Sequence, residues 1–201
     1  MIYNTITQAC QYQQKILRSQ FICFLFPISD TQQARSILSE HSHEYANATH
    51  NCFAYIIGLE RETQYYSDAG EPHGTAGKPI LNALLRNNLT NVLAIVTRYY
   101  GGIKLGVKGL IDAYGDTVEK ATKEACTTPA RLYCSYNITV EYALGDVVSG
   151  KIKSLQGEIT ESQWSQQVTF TIRLPQENQA DLLRFLDGQR QHSHLEYQQV
   201  K

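Results

Sequence analysis

The sequence predicts two domains of mixed helix and strand, and three observations carry the prediction. Apolar runs alternate with helical stripes over residues 1–128, the segment Thr127–Tyr133 breaks that pattern with a proline, and residues 133–201 restart in the order strand, helix, strand, strand, helix, strand. A chain of 201 residues accommodates two small domains and buries a core without disulfides or a metal. Its 18% charged and 42% hydrophobic residues are those of an ordinary globular protein, not a disordered or fibrous one.

In the first part, "TQACQYQQKILRS" reads as a strand and "QFICFLFPI" (20–28) as its partner, buried on both faces because it is apolar without interruption. Asp30 is placed to cap a helix whose stripe is Ala34, Ile37, Leu38 and His41. "NCFAYIIGL" (51–59) and the β-branched "NVLAIVTRYY" (91–100) read as two more buried strands. Between them Ile80, Leu81, Leu84 and Leu85 form one helical stripe; after them Leu110, Ala113, Tyr114, Thr117, Val118, Ala121 and Ala125 form another. Helices covering a sheet follow, in an α/β or α+β domain.

Beyond the proline, "YNITVEY" alternates as a strand, "GDVVSGKIKSLQ" reads as a short helix, and "EITESQW" with "QQVTFTIRL" as a hairpin pair. "QENQADLLRFLDG" places Leu182, Leu183 and Leu186 inward, and "HLEYQQV" closes the domain. The order βαββαβ is that of a ferredoxin-like domain, for which about 70 residues suffice.

The N-terminus has no basic start before an apolar core, and no window approaches a membrane span, so a cytoplasmic location is expected. Five cysteines (Cys10, Cys23, Cys52, Cys126, Cys134) contain no C-x-x-C pair and read as reduced thiols. The net charge is -1, yet from Pro72 to Ile111 there is no Asp or Glu, while Lys78, Arg86, Arg98, Lys104 and Lys108 fall there. Such a segment is either an anion footprint or a set of solvated helix faces.

Two glycine-rich loops, "DAGEPHGTAGKP" and "RYYGGIKLGVKG", each lead into a helix. Glycines let a backbone approach a ligand, and helix-start amides favour an anion; the same glycines also serve tight turns. Neither loop is a Walker A or a G-x-G-x-x-G motif, so no nucleotide cofactor is expected. Asp68, Glu71 and His73 are the candidates for acid/base catalysis, since a carboxylate beside an imidazole tunes its pKa; clustered loop polars also cap helices. The histidines His41, His43, His50, His192 and His194 lack partners at zinc spacing, so no metal is expected. His50 and Cys52, two apart, read as a strand-end histidine and a buried thiol rather than a nucleophile pair. Tyr99 and Tyr100 beside Arg98 combine rings with a cation, as in single-strand nucleic-acid sites, or else belong to the sheet core and rim.

The motifs "ATHNCFAYIIG", "SDAGEPHGTAGKPIL" and "VTRYYGGIKLGVKGLIDAY", in this order, resemble those of the IMPACT/YigZ family over about Arg18 to Ala121. The resemblance implies an α+β protein: an N-terminal domain (1–128) of the ribosomal protein S5 domain 2-like fold and a ferredoxin-like C-terminal domain (133–201) similar to the last domain of elongation factor G. It implies a bacterial member of a family whose eukaryotic proteins regulate translation by restraining a stress kinase through an additional N-terminal domain. A binding role toward RNA, the ribosome or a translation factor is therefore expected; the alternatives are a hydrolase-like enzyme and a pure protein-interaction module. The family pattern falls on Asp68, Gly70, Glu71, Gly74, Thr75, Gly77 and Lys78, and on Arg98, Tyr99, Gly101, Gly102, Lys104, Leu105 and Gly106. Of these, Gly74, Thr75, Gly77, Lys78, Arg98, Tyr99, Gly101, Gly102 and Lys104, together with Lys108, are the candidate anion or nucleic-acid contacts. Ala69 stands where relatives carry a second acid, which weakens a metal or acid/base role; Lys108 replaces a glycine, and Asp112 a basic residue.

Overall fold

The computed structural model describes residues 3–190 and 194–200, and the chain divides into two compact units, one running to Ala130 and the other starting at Arg131. The first contains β1 (Asn4–Ile6), β2 (Cys10–Ile16), β3 (Ser19–Pro27), α1 (Thr31–Glu44), β4 (His50–Ile57), β5 (Thr63–Ser67), α2 (Gly77–Arg86), β6 (Val92–Tyr99), α3 (Gly106–Glu124) and β7 (Thr127–Pro129). Five strands make an antiparallel sheet in the order β2-β3-β6-β4-β5, and β1 pairs with β7 as a separate ribbon.

Uninterrupted apolar sequence places β3 and β6 side by side at the sheet centre, where both faces are buried. The stripes of α2 and α3 bring Ile80, Leu84, Tyr114 and Val118 into one core with Phe21, Leu25, Cys52 and Val96. On the opposite face α1 sets Ala34 against Leu93 and Ile95. Asp30 caps α1, its carboxylate accepting from the Gln33 amide at 2.8 Å. His41, on the same helix, is buried: its Nε2 lies 2.8 Å from the Thr97 hydroxyl and its ring stacks on Tyr45. Burial pushes this imidazole below its ordinary range.

Three short strands lie outside the sequence expectation. β5 lies just before the first glycine-rich loop; as an edge strand with both Tyr65 and Tyr66 exposed, it has no alternation to reveal it. β1 and β7 are three residues each, and β7 carries the Pro129 that reads as a boundary from sequence. The β2–β3 hairpin turns on Leu17 and Arg18, both at positive φ (44° and 69°), while Ile16 pairs with Ser19. That is the two-residue turn usually built from Asn-Gly, here made of residues that resist it.

The second unit comprises β8 (Tyr133–Glu141), α4 (Gly145–Ser154), β9 (Glu158–Trp164), β10 (Gln167–Pro175), α5 (Gln179–Arg190) and β11 (Leu195–Val200), with antiparallel sheet order β11-β8-β10-β9. Alternation directs Tyr136, Ile138, Val140, Phe170 and Ile172 into a core with Ile152 of α4 and Leu182 and Leu186 of α5. The other sheet face aligns Asn137 with Thr171 and Gln198, and Thr139 with Thr169 and Glu196. His194 precedes β11, whereas His192 lies outside the described residues.

The strained hairpin turn makes a direct prediction. The paired substitution Leu17→Asn/Arg18→Gly should raise unfolding free energy in urea by about 1 kcal/mol, because both new residues accept the left-handed region. Unchanged stability would mean the turn is not strained.

Candidate functional site at the two glycine-rich loops

The first loop is built around Asp68, just past β5. Its carboxylate accepts from the amides of Gly74 (2.8 Å), Ala76 (3.0 Å) and Gly77 (2.8 Å), which closes the loop and caps α2. Burial alone would raise the Asp68 carboxyl; these amides, with His73 nearby, hold it below the usual carboxylate range. Three of the amides that sequence leaves open to an anion, those of Gly74, Ala76 and Gly77, are thus taken by the protein's own acid. Gly77 is required by close approach: a Cβ there would stand 2.7 Å from the Ser67 carbonyl group on β5. Ala69 (φ 44°) and Gly70 (φ 88°) turn the chain so that the Glu71 amide donates to the Asp68 carbonyl at 2.9 Å. Thr75 is buried, its hydroxyl donating to the Pro72 carbonyl at 2.6 Å.

That turn drives Glu71 inward. Its Oε1 accepts from Arg98 Nη1 at 2.6 Å and from the Tyr114 hydroxyl at 2.8 Å, and both charged side chains are buried. Arg98 comes from β6, Tyr114 from α3. Nη2 of Arg98 donates to the Ser19 hydroxyl of β3, which also accepts from the Gly101 amide, both at 3.3 Å. His50 donates through Nδ1 to the Ala69 carbonyl at 2.9 Å, and its Nε2 lies 4.0 Å from Glu71 Oε2. Cys52 donates to the Asp68 carbonyl at 2.9 Å; burial pushes its thiol up to about 12, which keeps it protonated and unreactive. Burial likewise raises the Tyr114 phenol, so it remains a donor to Glu71.

The structure therefore brings Glu71 and Arg98 together and keeps His73 apart. The His73 side chain is 96% exposed, 3.8 Å from Asp68, while that of Glu71 is 4% exposed. Of the five cations in the acid-free segment, Arg98 is paired with Glu71 and Arg86 with Glu119 at 2.8 Å. Lys78, Lys104 and Lys108 are exposed and in no ion pair among the described residues. Tyr99 donates to Asn47 at 3.1 Å, and Gly101 lies so close to the Arg18 carbonyl that a Cβ would collide with it; Gly102 turns at φ 85°. A cleft of about 890 Å³ beside α2 and α3 is lined by Lys78 and Arg86 and also by Asp112, Asp116 and Glu119, so its walls carry mixed charge. Among the described residues no group of three His, Cys, Asp or Glu is arranged to hold a metal. Sequence reasoning missed Ser19 and the role of Tyr114; the signal for the latter was a tyrosine on a buried stripe, whose hydroxyl must find a partner.

Three outcomes follow. Glu71→Gln should cost about 3 kcal/mol in denaturant unfolding, since it leaves Arg98 buried without its counter-charge. Asp68→Ala should cost about 2 kcal/mol by releasing three amides. Because the folded Asp68 pKa lies below its unfolded value of about 3.9, its contribution is full above that pH and is lost as pH falls through the folded value. The wild-type minus Asp68→Ala difference should therefore shrink below about pH 4; a constant difference would contradict the cap.

Residues 17–122 match the Impact N-terminal domain. The chain is 36% identical to the IMPACT family member YvyE of Bacillus subtilis, over 84% of this chain and 77% of that protein. It is 32% identical to the IMPACT family member YigZ of Escherichia coli, over 81% of this chain and 80% of that one. The human protein IMPACT matches at 36% over 44% of this chain and 29% of its own length. A crystal structure described as that of a hypothetical protein superposes with a TM-score of 0.66 at 28% identity, covering 100% of this chain and 98% of the other. Both loops, and every side chain of the Glu71 cluster, lie inside the matched span, and the chain belongs to the IMPACT family.

Proposed function

We propose that this protein is a translation-associated binding protein of the cytoplasm, contacting RNA, the ribosome or a translation factor through the exposed basic face of its first unit. The observation that carries the reading is how the loop charges are used. Asp68 and Glu71 are consumed by a helix cap and a buried ion pair, whereas Lys78, Lys104 and Lys108 face solvent unpaired. Unpaired surface lysines attract a polyanion and release its counterions on binding. Membership of a family whose eukaryotic proteins regulate translation supports the same reading.

The fold assignments belong to the proposal as well. An antiparallel five-stranded sheet with helices on both faces supports the S5 domain 2-like assignment of the first unit. In the second, the order β11-β8-β10-β9 with two helices on one face supports a ferredoxin-like assignment. The uncovered face of that sheet mixes Arg173 with Glu161 and Glu196 among threonines and amides, which favours the first unit as the anion-binding one.

The test is capture of partners from extract with and without nuclease, followed by ribosome and RNA co-sedimentation across salt. Nuclease-sensitive capture is expected. The triple variant Lys78→Gln/Lys104→Gln/Lys108→Gln should flatten the slope of log affinity against log salt by about 2. Binding that is indifferent to salt and to the triple variant would overturn the reading.

A further inference from the structure

The β2–β3 hairpin and the end of β6 form a second cleft, of about 460 Å³, on the first unit. Register sets Lys15 opposite Gln20, and Gln20 opposite Tyr99, so these three side chains share one face of adjacent strands, the face that α1 covers farther along. Arg18 at the hairpin tip and Tyr100 just past β6 complete the wall. No carboxylate lines this cleft, and neither Lys15 nor Arg18 is in an ion pair among the described residues. Its charge therefore differs in kind from that of the acid-lined cleft beside α2 and α3.

The aromatic wall is held in place before any ligand arrives. Tyr100 is 44% exposed, its backbone amide is fixed by a 2.9 Å bond to the Thr49 hydroxyl, and the Arg98 guanidinium stands 5.3 Å from its ring centroid. Tyr99 is anchored through its hydroxyl to Asn47. Gln20 donates to Gln13 Oε1 at 3.3 Å, which leaves the Gln13 amide nitrogen as a donor and the Gln20 oxygen as an acceptor toward solvent. The hairpin keeps an arginine at φ 69°, where glycine would be less strained, and its backbone rests against Gly101.

Fixed rings, two unpaired cations, amides able to meet a base edge and no acid match one ligand chemistry, that of an unpaired nucleotide strand. We propose that this cleft binds single-stranded RNA, with a base stacked on Tyr100 and the adjoining phosphates on Lys15 and Arg18. A duplex has no free base face to offer Tyr100. The proposal rests on the translation-associated reading above and adds a site whose cations, Lys15 and Arg18, are other than the lysines of the glycine-rich loops.

The experiment is fluorescence anisotropy of the full chain with a labelled oligouridine 12-mer and with an RNA duplex of equal length, across a salt series. The wild type should bind the single strand more tightly than the duplex. Tyr100→Ala should weaken single-strand binding about tenfold. Lys15→Gln/Arg18→Asn should reduce the salt slope by about 1.4, asparagine being chosen because it accepts a positive φ. Circular dichroism should show all variants folded, since these side chains are exposed. Single-strand binding unaffected by either set of changes, or tighter binding to the duplex, would overturn the cleft while leaving the translation-associated reading standing. No oligonucleotide binding by a wild type that still co-sediments with ribosomes would do the same. Failure of both assays would overturn both.

Discussion

A guanidinium and a carboxylate, both withdrawn from water, organise the first unit. Arg98 stands at the end of the central strand β6, and Glu71 reaches it from the loop between β5 and α2. Tyr114 joins them from α3 and Ser19 from β3, while His50 approaches from β4. Each ion would cost several kcal/mol to bury alone, so the loop is required to deliver Glu71 wherever Arg98 is buried. The left-handed turn at Ala69 and Gly70, the Asp68 cap and the bare Cα of Gly77 are the means of delivery.

This constraint recasts the conspicuous residues of the glycine-rich loops. Acids and a histidine next to glycines invite catalytic interpretation, yet the geometry assigns Asp68 to three amides and Glu71 to Arg98 and Tyr114, with His73 left in solvent. The same architecture frees other groups. With Arg98 held by Glu71, its guanidinium steadies Tyr100, and Gly101 admits the β2–β3 turn so that Arg18 comes beside the tyrosines.

Much of the fold was legible because its signals are local. The stripes of α2 and α3 and the apolar runs of β3 and β6 place their own residues, and Asp30 caps α1 where its spacing indicates. The short strands were not legible: three residues carry no period, and the proline of β7 reads as punctuation. The Leu17–Arg18 turn lacked the Asn-Gly signal that announces such hairpins. At the site, sequence located both loops and named Glu71 and Arg98 separately, but a pair 27 positions apart becomes a pair only through the sheet. The charge run was legible as a total and not as a distribution: two of its five cations are engaged, and the acid-free cleft uses Lys15 and Arg18 from outside the run. Charge acts through space, so its linear density is a poor guide to where a field is strong.

Glu71 and Arg98 act as one structural unit, and a double-mutant cycle measures how tightly they are coupled. Unfolding free energies of the wild type, Glu71→Gln, Arg98→Met and the combined variant give the coupling between the two side chains. A coupling of about 2 kcal/mol or more is expected, with the double variant far more stable than the sum of the single losses allows. Additive losses, with coupling near zero, would show that the pair does not hold the loops in place.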